Sequence, residues 1–519
     1  MNGKTVAAFA AMAMAASANA GELANRWVWV LDSLVATDCV ERVTKVVRDA
    51  KANGMNGVML HCGVDFCKYW PYERHKRFAK IKETCDETGM EIIPSIWGVG
   101  SGGLCSYGLD LAEGIPVDDV PFVVEGTNAV FDASHTFATN LSATAGFQRE
   151  GFYRRLINKV TVKPHGYYRY SFEFRTKGLV GDNPFRVIAR DAKVKMFFER
   201  ECIDVKYSPT QDWTPCSLTF SSGDSDTFYM YIGFMAGWKA GDFEVRNVRL
   251  AETAPRQILL RPGAPCILRN VATGETYEEG RDYKRPKLCW PLSRQDLPER
   301  TLAILPGSRI KQGDRLSLSC YTPGVVYGRQ HSTCLSEPKL YEAMEDSARR
   351  IEEKLHPNKW HLSMDEFRNG GTCAACRARG LTMAQIYADA VTKAFNIIQK
   401  VHPGAEVYIW SDMLDPNHNS VKEYYNCRGS FEDTWKWVPK DLIVCCWYNK
   451  KSHLSMPFFA SKGFRTLAAA YYDEKPPFKY SRKWRDLVRS TEGANGIMYT
   501  VWRRGYGDLP AFCAMLKEE

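Results

Sequence analysis

The segment Lys359-Trp-His-Leu-Ser-Met-Asp-Glu366 is a short apolar strand that ends on two adjacent carboxylates. A polar loop that contains glycine, 368–372, follows directly. A strand that ends in acidic residues and then breaks into a loop is typical of a barrel strand presenting catalytic groups. Neighbouring side chains of a strand point to opposite faces, so only one of Asp365 and Glu366 can point directly into a pocket. A solvated strand end is the simpler alternative, and the rest of the chain favours a functional role.

Predicted strands and helices alternate on both sides of this segment. Before it, amphipathic helices at 38–53 and 75–88 each end at a glycine and separate strands at 26–31, 57–61 and 91–96. A helix is predicted just before the segment, at 338–355, and another after it, at 382–401. The strands predicted from residue 315 onward are 315–320, 359–364, 406–410, 442–447, 465–470 and 496–502. A (β/α)8 TIM barrel has eight strands, so we assign 315–320 to the flank of the barrel.

The helix signals vanish between residues 116 and 311. Alternating strands follow one another there, at 167–175, 185–189, 227–234 and 242–250, which indicates an all-β sandwich. The run 241–250 resembles the closing strand of a jelly-roll carbohydrate-binding module. The predicted fold is therefore an α/β TIM barrel interrupted by a jelly-roll-like insertion, because barrel loops tolerate insertions well. Its parts are 21–115 (first part of the barrel), 116–311 (insertion) and 312–519 (remainder of the barrel).

The N-terminus is typical of an export signal. Lys4 supplies a positive charge, an apolar stretch covers 6–16, and Ala18-Asn-Ala20 is a small-residue cleavage site. Residues 1–20 are thus predicted to be a signal peptide, which leaves Gly21 as the first mature residue and predicts a secreted or periplasmic protein. Gly21 is not a cysteine, so no lipid anchor is expected, and no apolar run is long enough to predict a membrane span.

The amino-acid composition restricts the kinds of molecule that the protein is expected to bind. The 519-residue chain carries a formal charge of +9, but no block of Lys and Arg dominates a segment, so nucleic acid is not an expected partner. The charge is compatible with an anionic glycan. The 14 Trp and 25 Tyr exceed what packing usually requires and favour an oligo- or polysaccharide, whose rings pack on flat aromatic faces. Composition does not indicate the oligomeric state.

The 17 cysteines are an odd number, so at least one must be free or paired between chains. Cys373-x-x-Cys376 follows the acid pair, and a local disulfide that stiffens this loop is our first interpretation. Half of a metal site is the weaker alternative, because no second Cys-x-x-Cys or histidine pair has suitable spacing. We therefore predict no metal and no cofactor.

The other predicted strands also end in polar and aromatic residues, and the active sites of TIM barrels lie at that end. We expect these endings to converge on one pocket. They are Asp32, His61 with Asp65, Ser95, Trp410-Ser-Asp412, Trp447, Tyr471-Tyr472-Asp473 and Trp502-Arg-Arg504.

These motifs together resemble those of family 20 glycoside hydrolases, the β-N-acetylhexosaminidases. The acid-pair strand of that family reads His-x-Gly-Gly-Asp-Glu, against His361-Leu-Ser-Met-Asp365-Glu366 here. Its second strand reads Asn-x-x-x-x-His followed by an aspartate, and its third carries Gly-x-Glu-[Val/Ile]-[Val/Ile]-Pro. The corresponding positions here are Asn56, His61, Asp65 and 89–94, and the later endings match at Trp410, Trp447, Tyr471, Asp473 and Trp502. The likeness covers the barrel portions and not the insertion.

The resemblance implies a retaining, substrate-assisted glycosidase in which the substrate's own 2-acetamido oxygen is the nucleophile. Glu366 would be the acid and then the base, and we expect burial and the neighbouring Asp365 to favour its protonated form. Asp365 would hold the acetamido N–H, and Tyr471 would hydrogen-bond its oxygen. The remaining residues implied are Trp410, Trp447 and Trp502 as pocket walls, His61 and Asp65 as supports of the acid, and Asp412, Tyr472 and Asp473 as further sugar contacts.

Two departures leave the sugar open. The family has Glu where this chain has Ser95, and Glu where it has Arg504. An arginine at that place would suit a sulfate or carboxylate, with which it forms two parallel hydrogen bonds.

Other roles stay open for the same residues. Each Trp could be ordinary barrel packing, His61 a core histidine, and Asp412 a helix cap or turn residue. For a substrate without an acetamido group, Asp412 or Asp473 becomes the candidate enzyme nucleophile, and carboxyl groups about 5–5.5 Å apart would be expected. A glycan-binding protein without catalysis is the third hypothesis, although a lectin has no need of a buried acid pair.

Overall fold

The computed structural model describes residues 23–101, 103–194, 199–326 and 330–518. The predicted signal peptide, 1–20, lies outside the described residues.

Eight parallel strands form a closed barrel, as predicted. Their order around the barrel is their order along the chain. The strands are Asn25–Leu31, Gly57–His61, Glu91–Ile96, Lys359–Leu362, Glu406–Trp410, Ile443–Cys446, Arg465–Tyr471 and Ala494–Thr500. Arg315–Pro323 lies outside this barrel and pairs antiparallel with Gly114–Glu125, so its assignment to the flank is confirmed.

Helices alternate with the barrel strands. The helix Met383–Val401 begins at a capping box, in which the side chains of Thr382 and Gln385 each accept a hydrogen bond from the other residue's backbone N–H. Four helices were predicted, and each ends within a residue of its expected end. The helices of the described residues are Cys39–Ala52, Tyr72–Thr88, Pro338–Leu355, Ala374–Ala378, Met383–Val401, Ser452–Ser461, Lys479–Ser490 and Leu509–Leu516.

The middle of the chain contains two antiparallel sheets that share one hydrophobic core, which is a β-sandwich. Inward residues alternate along Tyr167–Gly181, and the rings of Phe174, Phe185 and Phe243 meet in the core. One sheet contains Phe147–Gln148, Arg154–Thr161, Arg186–Asp191, Glu199–Asp204 and Thr227–Phe234. The other contains Ala138–Asn140, Tyr167–Gly181, Gln211–Ser221 and Trp238–Glu252. The jelly-roll class of this sandwich stays a prediction.

A further sheet of seven strands has a core of its own, built around Val120, Phe122 and Leu316. Its strands are Gly114–Glu125, Asn128–Phe131, Ile267–Asn270, Thr276–Tyr277, Tyr283–Lys284, Leu302–Ile304 and Arg315–Pro323. The region predicted as a single sandwich therefore contains a sandwich and a separate seven-stranded sheet with a core of its own. The remaining short strands are Val325–Val326 with Gln330–His331, and Asn369–Gly370 with Asn426–Cys427.

The described chain divides into two compact units. One consists of 23–60, 77–92 and 443–518, and the other of 61–76 and 93–442. We call them the first and the second unit. The acid pair lies in the second unit, and the strand endings at Trp447, Tyr471 and Trp502 lie in the first. None of the helices in the described ranges combines the length and apolar character that a membrane crossing requires.

Candidate active site

The acid pair lies where the fourth barrel strand has just ended. Glu366 adopts a left-handed backbone conformation, with φ of +48°. A non-glycine residue in that region is strained by about 1–3 kcal/mol and persists only where its surroundings hold it. Here the Glu366 N–H donates to Oδ2 of Asp412, at 2.8 Å. A carboxylate from the end of the fifth strand thus fixes the turn that carries the candidate acid.

The side chain of Glu366 is paired with Arg368. Nη2 of Arg368 lies 2.5 Å from Oε2 of Glu366, and its Nη1 donates to Oε1 of Gln330 at 2.8 Å. The guanidinium also lies 5.4 Å from the ring centre of Tyr425. Glu366 is 37% exposed, so the prediction that it is buried is wrong. The salt bridge to Arg368 therefore fixes the orientation of the Glu366 side chain at the surface of the site.

Asp365 is the more enclosed member of the pair. Oγ of Ser363 donates to its Oδ1 at 3.3 Å. Burial, and then the negative charge of Glu366, raise the pKa of Asp365 to about 6. This carboxyl group therefore changes its charge between weakly acidic and neutral pH.

Asp412 is completely buried behind the acid pair. Besides the Glu366 N–H, its Oδ2 accepts from Nδ2 of Asn419 at 2.9 Å. Burial and the charge of Asp365 raise the pKa of Asp412 to about 8. Its Oδ1 has no hydrogen-bond partner within the described part of the chain. Asp412 is therefore placed to brace the acid pair, and its full burial does not suit the predicted contact with sugar hydroxyls.

A serine connects two buried histidines next to the acid-pair strand. Nδ1 of His61 lies 3.2 Å from Oγ of Ser95, which lies 2.9 Å from Nδ1 of His361. Burial lowers the pKa of His61 to about 4 and, with the charge of His61, that of His361 well below its usual value. Both rings are neutral at neutral pH. The ring of His361 meets that of Trp410 edge-on at 4.6 Å, and Trp410 is only 2% exposed.

Asp65 fastens the loop that follows the third barrel strand. Its Oδ2 accepts the Trp97 N–H at 3.0 Å, and burial raises the pKa of Asp65 to about 6. The loop then passes close to the acid pair at Gly100, where a Cβ atom would lie 2.4 Å from the Asp365 carbonyl oxygen. Only glycine allows this approach. Asp65 therefore supports the acid pair through the loop, whereas His61 contacts Ser95.

The first unit contains a half-exposed aromatic cluster. The rings of Trp447 and Tyr472 are stacked, with centres 5.9 Å apart and planes inclined by 5°. Trp502 meets Tyr472 at 6.0 Å and the buried Trp29 at 5.6 Å. Tyr472 and Trp502 are each 37% exposed. We call Trp447, Tyr472 and Trp502 the aromatic platform.

The backbone at the end of the seventh strand shapes this platform. Tyr471, Tyr472 and Asp473 all have positive φ, at +72°, +52° and +56°. Asp473 accepts the N–H groups of Trp502 and Arg503, at 3.2 and 3.4 Å. The Tyr471 hydroxyl donates to Oδ2 of Asp508 at 2.8 Å, so its proton is already engaged. Tyr471 and Asp473 therefore hold the platform in place.

A cavity of about 850 Å³ lies within the second unit, between the sandwich and the 421–430 loop. Tyr425, which packs on Arg368, is part of its wall. The sandwich contributes the charged side chains of Lys193 and Arg200 to the lining, and the loop contributes Arg428. The cavity wall therefore contacts the acid pair indirectly: Tyr425 packs on Arg368, and Arg368 forms the salt bridge with Glu366.

All 17 cysteines lie in the described part of the chain, and none of them forms a disulfide there. The predicted disulfide between Cys373 and Cys376 is therefore wrong. The two thiols lie instead beside Cys334 and Glu113, which gives this group the residue types of a metal site.

The sequence predicted that Asp365, Glu366 and Asp412 belong to one site, and the structure brings these three together through the Glu366 backbone. The sequence also predicted that His61 supports the acid; the structure places His61 against Ser95, which contacts His361 of the acid-pair strand, and the supporting role stays a prediction. Arg368, Asn419 and the connecting role of Ser95 were missed. Arg368 lies two residues after Glu366 and could have been found from that spacing, whereas Asn419 has no such signal.

No known protein family profile matches the chain, and no curated protein matches it. Solved structures with a partial likeness include the family 20 modules of the pneumococcal exo-β-D-N-acetylglucosaminidase StrH (12% identity, TM-score 0.23, 36% of this chain and 50% of that one). The family 20 β-N-acetylhexosaminidase of Streptomyces coelicolor A3(2) has 13% identity and a TM-score of 0.23, over 38% of this chain and 40% of that one. A carbohydrate-binding module of Cellvibrio mixtus lichenase 5A has 15% identity and a TM-score of 0.15, over 23% of this chain and 88% of that one. The chain thus spans half or less of the two glycosidases, and likeness this low carries no argument about function.

Proposed function

We propose that the protein is an exported glycoside hydrolase that cleaves a 2-acetamido sugar from a glycan with retention, using Glu366 as acid and then base. The observation that carries the proposal is the group of three carboxylates at the ends of the fourth and fifth strands. Asp412 fixes the Glu366 backbone, and Asp365 adjoins Glu366 with a pKa raised to about 6. Glycoside cleavage requires carboxyl groups with unlike environments, and this group provides them.

The roles follow from the contacts of each carboxyl group. Glu366 donates a proton to the leaving oxygen, and Arg368 then stabilises the carboxylate that remains, at 2.5 Å. Asp365 in its ionised form accepts the acetamido N–H and thereby orients the acetamido oxygen toward the anomeric carbon. In the first step the acetamido oxygen bonds to the anomeric carbon as the glycosidic bond breaks and the protonated leaving group departs. In the second step water attacks the anomeric carbon, the bond to the acetamido oxygen breaks, and Glu366 takes up the proton of the water.

Participation of the substrate is favoured over an enzyme nucleophile. The two candidate enzyme nucleophiles, Asp412 and Asp473, both accept hydrogen bonds from other parts of the protein. Asp412 is fully buried and accepts from the Glu366 N–H and Asn419, and Asp473 accepts two backbone N–H groups. A nucleophile must approach the anomeric carbon to within about 3–3.5 Å, and neither carboxylate is free to do so.

The aromatic platform of the first unit is a flat apolar surface of the kind on which the face of a sugar ring packs, and we propose that it binds glycan. Arg503 and Arg504 adjoin Trp502 and are exposed, so a sulfate or carboxylate on the sugar would find a cation there. Cleavage after Ala20 is part of the same proposal, and N-terminal sequencing of the protein secreted by its native host tests that part separately.

The test is a set of aryl β-glycosides that includes GlcNAc, GalNAc, glucose and sulfated forms, assayed with wild type and Glu366→Gln. We expect turnover of a 2-acetamido substrate and a loss of about 100-fold or more in kcat/KM for the variant, the usual scale for a general acid. Glu432→Gln, an exposed carboxylate of the same unit, is the matched control and should keep full activity. Thermal denaturation of both variants excludes a loss that is due to unfolding.

Three outcomes are distinguishable. Equal rates for Glu366→Gln and wild type remove Glu366 from the mechanism. Faster turnover of glucosides than of acetamido sugars, with Glu366 still essential, favours two enzyme carboxylates. Glycan binding in calorimetry without turnover of any substrate would identify a lectin.

A further inference from the structure

Four metal-binding side chains meet in the second unit, outside the acid site. Glu113, Cys334, Cys373 and Cys376 are all buried, and their ligand atoms lie within 4.8 Å of one another. Sγ of Cys334 lies 3.4 Å from Sγ of Cys373 and 3.8 Å from Sγ of Cys376. Sγ of Cys376 lies 3.6 Å from Oε2 of Glu113. We call these four residues the thiol cluster.

The spacing is that of metal ligands and not of disulfides. A disulfide joins two sulfur atoms at about 2.05 Å. Zinc binds thiolate sulfur at about 2.3 Å in a tetrahedron, so two such sulfur atoms lie about 3.8 Å apart. The distances from Cys334 to Cys373 and Cys376, 3.4 and 3.8 Å, lie close to this value. The centre of the cluster can therefore hold an ion after small adjustments of side chains.

The surroundings of the cluster already orient one ligand. Oε1 of Glu113 accepts the N–H groups of Thr372 and Cys373, at 2.8 and 2.9 Å, and the Thr372 hydroxyl at 3.0 Å. Its other oxygen, Oε2, is left facing Cys376. Hydrogen bonds of this kind orient ligands in metal sites and are typical of their outer shell.

A positive charge is also in place. The guanidinium of Arg261 lies beside Cys334, Cys373 and Glu113, and it is held by the Ala112 carbonyl at 3.1 Å and by Glu337 at 3.2 Å. Three thiolates and a carboxylate carry four negative charges, of which a divalent ion neutralises two. Arg261 shares its positive charge between Glu337 and the thiol cluster, so it offsets only part of the remaining negative charge.

We propose that Glu113, Cys334, Cys373 and Cys376 bind one Zn²⁺ ion as a closed structural site. Four protein ligands leave no open position for water or substrate, and zinc with that ligand number is structural. The ion would join three segments that are far apart in the chain: the residue before Gly114–Glu125, the Cys334 loop, and the start of the helix Ala374–Ala378. The third of these begins only seven residues after Glu366, so the ion would anchor the loop that leaves the acid pair.

This site was not predicted from the sequence because its ligands do not form two closely spaced pairs along the chain. Only Cys373 and Cys376 have a recognisable spacing, and Cys334 and Glu113 arrive through the fold. A second group of possible ligands, Glu352, His356 and His402, lies at a partly exposed helix end. It supplies an internal control for the experiment.

The experiment uses the full mature chain purified without a polyhistidine tag. Elemental analysis should find about one zinc ion per chain, as expected for a site with four protein ligands. Replacement by Co²⁺ should give the intense thiolate-to-cobalt absorption and the visible bands of a tetrahedral sulfur site. Removal of zinc by a chelator should lower the temperature of unfolding, and added Zn²⁺ should restore it.

The variants locate the ion. Cys376→Ser and Glu113→Gln should lose most of the zinc, whereas Cys513→Ser, a buried cysteine outside the cluster, and His402→Ala should retain it. Zinc that is kept in Cys376→Ser but lost in His402→Ala would overturn the proposal. If the cluster variants do not fold, the wild-type cobalt spectrum decides, and the absence of thiolate-to-cobalt absorption contradicts the assignment. Neither result depends on whether the protein is a glycosidase.

Discussion

The ends of the fourth and fifth barrel strands differ sharply from the ends of the seventh and eighth. The first pair of endings, in the second unit, contains carboxylates that are buried or half-buried and joined by hydrogen bonds, with pKa values raised to about 6 for Asp365 and about 8 for Asp412. The second pair, in the first unit, offers aromatic rings that are 37% exposed at Tyr472 and Trp502. Asp473, at the end of the seventh strand, accepts backbone N–H groups of Trp502 and Arg503.

Under the proposed function, the two regions would have different roles. Burial with hydrogen bonds tunes proton affinity, which is what acid–base chemistry needs. Exposed aromatic surface offers binding energy with little influence on proton transfer. Substitutions in the two regions should therefore affect different kinetic constants, kcat in the second unit and KM in the first.

The largest effect is expected for Asp365→Asn. The variant should lose about 100-fold in kcat/KM on 2-acetamido substrates and much less on others. The neutral amide accepts a weaker hydrogen bond from the acetamido N–H and has no negative charge to stabilise the positive charge that develops on the acetamido group. Wild-type activity on these substrates should fall as the pH falls through about 6, where Asp365 takes up its proton. The pH profile of kcat/KM measures this, with Asp433→Asn, an exposed aspartate, as the control. Equal losses on all substrates would favour two enzyme carboxylates.

A smaller effect is expected for Trp502→Ala and Tyr472→Ala. Loss of a sugar-packing ring should raise KM about tenfold, equivalent to about 1.4 kcal/mol, and leave kcat within about twofold. Steady-state kinetics on the best substrate test this. Trp437→Ala removes a tryptophan that is 55% exposed outside the platform and should change neither constant. A fall in kcat without a change in KM would contradict the proposed difference in roles.

The smallest effect concerns stability. The pKa of Asp412 is raised from 3.8 to about 8 in the folded protein, so its protonated form is the favourable one. Its contribution to the free energy of unfolding is complete below about pH 4 and is lost as the pH rises toward about 8. Asp412→Asn should therefore gain stability relative to wild type across this range, by a few degrees in the temperature of unfolding for each kcal/mol.

Asp282 provides the opposite case, because a hydrogen bond from Arg309 lowers its pKa. Its contribution is present above about pH 4 and is lost only in acid. Asp282→Asn should therefore be less stable than wild type by an amount that does not change between pH 5 and 8. The measurement is the temperature of unfolding as a function of pH. If it changed with pH in the same way for Asp412→Asn and wild type over this range, the burial argument for Asp412 would be contradicted.

The sequence predicted the barrel well because its signals are local. Period-two and helical patterns place the strands Gly57–His61, Glu91–Ile96 and Glu406–Trp410 at their observed bounds. The helices Ser452–Ser461, Lys479–Ser490 and Leu509–Leu516 were missed. Ser452–Ser461 contains Pro457, which weakens its helix signal. Lys479–Ser490 has buried positions at helical spacing, Ser481, Trp484, Arg485 and Val488, so its signal was present in the sequence and was overlooked.

The site was predictable in its residue types and not in their partners. The acid pair and Asp412 were found from strand endings, but the exposure of Glu366 and its salt bridge to Arg368 were not predicted. The thiol cluster was missed for a similar reason, since Glu113 and Cys373 are 260 residues apart and meet only in the fold. Local spacing predicts elements, whereas contacts between distant segments determine charge states and ligands.

The most direct test compares two aryl glycosides of the preferred sugar, one with a nitrophenol leaving group and one with an unsubstituted phenol, in wild type and Glu366→Ala. A general acid matters most where the leaving group is a poor one, so the variant should lose at least about 100-fold on the phenyl glycoside and far less on the nitrophenyl glycoside. Equal losses on the two substrates would contradict a proton donated by Glu366, and with it the account of the acid site.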